Sequence, residues 1–255
     1  MTTIISALPY TITQQGSYLL DRFAGYQSTD GITINADDVV LDLGGNAIVR
    51  YGDNANQNNG IYVPPNRTNI NIKNGHVRGF MYGLLSYARS MTVQDMVFED
   101  CTFRGMKIET GVGFPVPKFD FRRCSIRNVG GCTVYNPAYA FGIEVYGTGT
   151  IMDCSVSDLF VTHATAEAVG ISVTDDGNVF VQDCRIFNPT CLVHSFGIWV
   201  GGSSLALLER NTVSRFQKVM GVTGLVTGLY RNNTSSECPD GYVVPAGLLD
   251  RGGNV

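Results

Sequence analysis

Apolar and polar residues alternate along this chain in short runs that return at a spacing far longer than any helical period. Gly-Ile-x-Val, or a near copy, appears as GITI at 31, GIYV at 60, GLLS at 83, GMKI at 105, GIEV at 142, GISV at 170, GIWV at 197 and GVTG at 221, so successive glycines stand 22 to 37 residues apart. A second motif follows each of the first seven: LDLGGNAI (41–48), INIKNGHV (70–77), TVQDMVF (92–98), FDFRRCSI (119–126), TIMDCSV (150–156), VFVQDCRI (179–186) and LLERNTV (207–213). Both motifs are β-branched and alternate with a period of two, as strands on a core do. Repeats of 20–50 residues mark a solenoid, in which each unit buries its apolar side only by stacking on its neighbours. The pattern predicts an all-β solenoid of about 8–10 coils with two or three short strands per coil. The stretch 205–216 comes nearest to a helical period, and the repeat accounts for it better.

Composition supports one continuous domain. Charged residues make up 16% of the 255, below the usual quarter, which leaves little material for solvated helix faces. No linker interrupts the repeat. Residues 1–30 read as a cap or first coil, 31–230 as the Gly-Ile-x-Val coils and 231–255 as a C-terminal cap. A solenoid must cap its exposed strand edges, so the apolar stretch Tyr242–Leu249 is expected to fold back or to meet a second subunit in a homo-oligomer. A net charge of −4 without a basic, aromatic-interleaved patch argues against nucleic acid. The longest apolar run, near 220–230, holds three glycines and is too short for a bilayer. Residues 1–20 lack a basic leader and already read as strand, which points to a cytoplasmic protein without a signal peptide. Seven cysteines fit a reducing compartment. Three of them, Cys124, Cys154 and Cys184, take the same place in the second motif, between Met96 one coil earlier and Asn211 one coil later. They should stack about 4.8 Å apart as an unpaired column inside the coil. No Cys or His pair has metal-ligand spacing, so no metal or cofactor is expected.

The opening PYTITQQGSYLLDR…DGITINADDVVLDLGGNAI (9–48), followed by the Gly-Ile-x-Val coils, resembles the right-handed parallel β-helix proteins of the pectin-lyase-like superfamily over residues from about 9 to 230. The resemblance implies a single-stranded right-handed parallel β-helix, the hand that parallel crossovers almost always take. It leaves the reaction open, because that superfamily holds pectate lyases, polygalacturonases, alginate C5-epimerases, phage tailspikes and domains without catalysis. An Asp-Pro-His-Glu run like that of the epimerases is missing. Thr174-Asp175-Asp176-Gly177 resembles the paired aspartates of polygalacturonases, but the accompanying His-Gly and Arg-x-Lys motifs are absent, and Asp-Asp-Gly-Asn between two strands reads as a turn.

In Gly-Ile-x-Val-x the Ile and Val point inward, so the third and fifth residues point out. The third position reads Thr33, Tyr62, Leu85, Lys107, Glu144, Ser172, Trp199, Thr223, and the fifth reads Asn35, Pro64, Tyr87, Glu109, Tyr146, Thr174, Gly201. Long arcs flank the middle of this face: 110–118 on one side, and 128–141, 157–169 and 187–196 on the other. They should wall it into a trough about 15–20 Å long, suited to a small molecule or a few sugar units. The walls carry His163, His194, Glu167, Tyr135 and Tyr139, with Phe114, Phe141 and Phe196.

The chemistry expected there is proton transfer on a saccharide by a lyase, epimerase or glycoside hydrolase. Glu109 and Glu144 would form the acid–base or charge-stabilising pair, unless Lys107 simply bridges to Glu144. Lys107, His163 or His194 would be a second proton-transfer group, and Tyr146 a proton donor. Trp199 and Tyr87 would form the sugar platform, and Tyr62, Ser172, Thr174, Tyr139 and Arg89 would complete the binding surface. Calcium held by Glu109, Glu144 and loop carbonyls is the cofactor alternative to none. An intracellular isomerase or cyclase acting on a non-sugar metabolite, and a non-catalytic carbohydrate-binding or structural β-helix, are the other classes the sequence allows.

Overall fold

The alternation sets the direction of every side chain. In Ile143-Glu144-Val145 both aliphatic residues are fully buried, as are Ile171 and Val173 one coil later, while the residue between them lies on the outer face. Each such aliphatic side chain contributes about 1.5–3 kcal/mol when removed from water. A lone coil offers nothing to bury it against, so coil stacks on coil.

The computed structural model describes all residues except 27, 28, 52, 53, 111–114, 137, 175, 176, 203, 204, 225, 245 and 246. The described residues form 26 strands and no helix, with parallel pairing from each coil to the next. The strands wind into a three-faced parallel β-helix. The first face holds the Gly-Ile-x-Val strands: Tyr10–Ile12, Ile32–Ile34, Asn59–Val63, Tyr82–Ser86, Arg104–Ile108, Ala140–Tyr146, Ala168–Thr174, the ends of Arg185–Val200 and Thr212–Val222, and Tyr242–Val243. That makes ten rungs, within the expected range. The second motif supplies the other two faces, with strands such as Lys118–Arg122 and Ser125–Gly130 joined by a bend.

The bend has its own column. Asn74, Asp95, Arg123, Asp153, Asp183 and Arg210 all adopt φ between 51 and 57°. Asn and Asp visit this left-handed region most readily among residues with a side chain. The two arginines there reach back to the aspartate of the preceding coil, with Arg123 Nε 2.7 Å from Asp95 and Arg210 Nε 2.8 Å from Asp183. Immediately after the bend, Cys124, Cys154 and Cys184 are buried and unpaired, as the sequence implied. The hydrogen-bonded Cys154 sulfur and burial together push the Cys124 and Cys184 thiols up. The column continues as asparagine: Cys184 N donates to Asn211 Oδ1 (3.1 Å), Asn211 N to Asn233 Oδ1 (2.9 Å), and Asn233 N to Asn254 Oδ1 (3.0 Å).

The repeated glycine stands where the third face turns into the first. A Cβ on Gly142 would lie 2.4 Å from Val156 Cγ1 and 2.6 Å from the Gly170 carbonyl oxygen, and one on Gly170 would lie 2.3 Å from Ile186 Cγ2. No side chain fits. The last copy breaks the rule: Gly197 stacks on Val219, and Trp199 pairs with Gly221 rather than Thr223. The final first-face repeat therefore runs Val219-Met220-Gly221-Val222, two residues before the GVTG glycine register. A second difference is that 187–196 is not a loop but part of the 16-residue strand Arg185–Val200, which keeps pairing with Thr212–Val222 across two register shifts. At the C-terminus the apolar tail folds back as a partial coil. Tyr242–Val243 pairs with Met220 and Gly221, Leu248–Asp250 pairs with Gly228–Tyr230, and Leu248 is buried.

Two outcomes follow for denaturation experiments. Gly142→Ala should lower stability by about 1–3 kcal/mol through overpacking at the corner, and an unchanged midpoint would mean that the corner is not close-packed. Deleting 239–255 should destabilise the whole repeat, since it uncovers Met220 and Tyr230; unaltered melting would show that the tail caps nothing.

Candidate functional site

Stacking converts sequence columns into a surface. Register places Tyr62, Leu85, Lys107, Glu144, Ser172 and Trp199 in one straight line across the first face. Tyr146 and Thr174 pair directly in the neighbouring line, and Thr223 joins at its end, accepting a hydrogen bond from Trp199 Nε1 (3.3 Å).

Over the last four of these coils the face sinks into an open cleft of about 360 Å³. Its floor is Glu144, Ser172 and Trp199 with Tyr146, Thr174 and Gly201; Phe141, Tyr139 and Glu167 form the rim. Phe196 backs the indole of Trp199 at 4.7 Å between ring centres. The arc 131–139 is seated by a small cluster of its own, in which Cys132 and Ala138 pack with Met81, and Phe103 lies between Tyr82 (5.7 Å) and Tyr135 (4.8 Å). Burial there raises the Tyr82 phenol to about 12.

At one end of the cleft lies a network of four charges. Glu144 is 6% exposed, and its Oε2 is 2.6 Å from Arg104 Nε and 3.7 Å from Lys107 Nζ. Lys107 Nζ is also 2.7 Å from Glu109 Oε2. Arg104, itself buried, has its guanidinium between the rings of Phe103 (3.7 Å) and Phe141 (4.0 Å), and its Nη1 donates to the carbonyls of Phe103 and Tyr139. Burial works to lower the Lys107 pKa, but the Glu144 and Glu109 carboxylates outweigh it and hold the ammonium above its ordinary value. Lys107 is thus a fixed cation at neutral pH and not a base in waiting. The Tyr146 phenol is raised too, by burial and then by Glu144, so it keeps its proton.

The sequence-predicted residues divide cleanly. Glu144, Tyr146, Ser172, Thr174, Trp199 and Tyr139 meet in the cleft. Glu109 and Lys107 sit one coil away, and Lys107 links the two glutamates, so the bridge and not a free carboxylate pair is what forms. The same bridge engages Oε2 of both glutamates. Among the described residues no group of three His, Cys, Asp or Glu side chains is arranged to hold a metal. Tyr62 and Tyr87 pack edge to face (6.4 Å) beyond the charge network, outside the cleft. Arg89 turns aside to Asn66 Oδ1 (2.9 Å). His163 and His194 are exposed and do not line the cleft: the His163 ring meets Thr165, and His194 serves through its backbone N–H, which donates to Gln217 Oε1 (2.7 Å). His163 thus holds a local turn, and His194 ties its strand to the next coil. Phe114, Asp175 and Asp176 lie outside the described residues, and so does the middle of the 110–118 wall. The sequence reading passed over Arg104, although it stands as a charged residue in a column where it pairs with Tyr82 and Phe141 and the next rungs carry Val169 and Phe196.

Comparison with known proteins gives the hand of the helix. A family model described as a right handed beta helix region matches residues 119–244. The crystal structure of pectate lyase Pel9A superposes with a TM-score of 0.54 at 13% identity, covering 92% of this chain and 68% of that one. No curated protein matches the sequence. Identity that low carries the fold and nothing about the reaction.

The raised Lys107 pKa makes a pH prediction. Its stabilising contribution should be fully present below about pH 10.5, the ordinary lysine value, and should disappear as the pH rises through the higher folded value. Lys107→Met should therefore cost about 1–3 kcal/mol at neutral pH, with the gap to wild type closing in alkali. A gap that is absent at pH 7, or independent of pH, would show that the bridge is not formed.

Proposed function

We propose that the first-face cleft of this right-handed parallel β-helix binds a short, neutral saccharide and that the protein cleaves a glycosidic bond there by proton transfer. One observation carries this reading: an aromatic-lined cleft presents two carboxylates in unlike surroundings. Glu144 is clamped by Arg104 and Lys107. Glu167, by contrast, has no ion pair among the described residues. Pairs of carboxyl groups held in different environments are how acid and base roles are divided at such bonds.

Trp199 and Tyr146 offer flat faces for sugar rings, and Ser172, Thr174 and Thr223 offer hydroxyls. Glu167 supplies the proton that the leaving glycosidic oxygen needs. The Glu144 carboxylate faces the positive charge that builds on the sugar ring. Water then adds to the anomeric carbon and returns its second proton to Glu167. The likeness to a pectate lyase makes polysaccharide chemistry the class to test first, but a polyuronate needs cations to neutralise it. Lys107 and Arg104 are already neutralised by Glu109 and Glu144. That favours a neutral glycan.

The test is a panel of neutral glucan, xylan, mannan and galactan oligosaccharides beside oligogalacturonate, followed by reducing ends and by the ultraviolet absorbance of an unsaturated product. The expected result is new reducing ends from a neutral member, with turnover reduced about 100-fold or more by Glu167→Gln and affinity weakened by Trp199→Ala. An unsaturated product from oligogalacturonate, or full turnover in Glu167→Gln, would overturn this reading.

A further inference from the structure

A second cleft, of about 340 Å³, lies at the corner between the third and first faces, where the coils containing Ala47–Arg50, Ile70–Arg78 and Ser90–Glu99 meet. It shares no lining residue with the first-face cleft. Its chemistry is that of an incomplete ion pair. Arg78 is matched, its Nε held by the Asp100 carboxylate, which also accepts from Asn128 Nδ2 (2.6 Å). Arg50 is not. Its Nε and Nη1 are closed off from solvent and have no hydrogen-bond partner among the described residues. Beside it in the same cleft Thr102, only 6% exposed, has a hydroxyl that is likewise buried and unpartnered.

Three buried polar atoms without a bond among the described residues, two of them part of a permanent cation, are costly in a finished fold. They share one property. Two are N–H donors and the third is a hydroxyl free to donate, so what all three lack is an acceptor, and the charge of Arg50 favours an anionic one. Arg78 and Asp100 cancel, which leaves the Arg50 charge uncompensated among the described residues of the cleft. We propose that this corner is a binding site for a small oxyanion: a carboxylate, sulfo or phosphoryl group received by Arg50 and Thr102, beside the charge-neutral Arg78–Asp100 pair. Charge-assisted hydrogen bonds from arginine to such groups are among the strongest that a protein makes. The rest of the ligand would lie toward Tyr51, whose ring is exposed at the edge. This site does not depend on the reaction proposed for the first-face cleft.

The test is calorimetric titration of the intact chain with inorganic sulfate, inorganic phosphate and acetate in turn, each against sodium chloride at equal ionic strength. At least one oxyanion should bind saturably where chloride does not, and the arm that binds identifies the group. Arg50→Gln should weaken binding about tenfold or more, as expected for loss of hydrogen bonds to a charged group, and Thr102→Val should weaken it to a smaller degree. Trp199→Ala should leave it unchanged. If Arg50→Gln does not fold, Thr102→Val alone decides the matter, since the swap keeps the side-chain shape. Heats no larger than those of chloride, or unaltered affinity in Thr102→Val and Arg50→Gln, would mean that buried water alone satisfies these atoms and that the site is not an anion site.

Discussion

Everything in this molecule depends on parallel, in-register stacking at the strand spacing of about 4.8 Å. Because one coil lies directly on the next, each side chain has its own equivalents above and below, and a one-residue slip would carry every inward aliphatic to the surface. The corner glycine enforces that register. At Gly105, Gly142, Gly170 and Gly197 a β-carbon would collide with an Ile or Val of the third face and with the backbone of the following coil. The buried column beside the bend reinforces it differently in the two halves, by thiols packed in sequence up to Cys184 and by side-chain amides bonded to backbone from Asn211 onward.

The same rule makes the first-face cleft possible and sets its electrostatics. Adjacent outward positions on successive rungs must be neighbours, so Lys107 and Glu144 meet whether or not any ligand is present. A buried carboxylate with one partner is a liability. Here it has two cations, and Arg104 is itself held by two carbonyls and two aromatic rings. Such a network fixes the geometry of the cleft end and ties Lys107, Glu109 and Glu144 to one another. Glu167, the cleft carboxylate without an ion pair among the described residues, comes from an arc and not from a rung.

Column residues were legible in the sequence because a rung has one register and the alternation states it. Trp199, Tyr146, Ser172 and Thr174 could be placed beside Glu144 by counting alone. Counting failed where the chain leaves the rung. GVTG carries the right letters two residues late, since Val219 and not Gly221 occupies the corner, so Thr223 fell in the wrong column. The 187–196 segment was read as an arc, yet it extends its strand through two register shifts that no period reveals. His163 and His194 were chosen for their chemistry on walls whose direction the sequence does not encode, and neither lines the cleft. Arg104 was overlooked because it precedes the motif, although a guanidinium between rungs of aromatic and aliphatic residues was a visible anomaly.

Trp199 is the only tryptophan in the chain, and it forms part of the cleft floor. Its intrinsic fluorescence therefore reports on this cleft and no other. Titration with the neutral oligosaccharides should produce a saturable change in that emission, at concentrations where oligogalacturonate produces none. A protein that turns over or binds a saccharide while the Trp199 emission stays constant would contradict the assignment of the cleft.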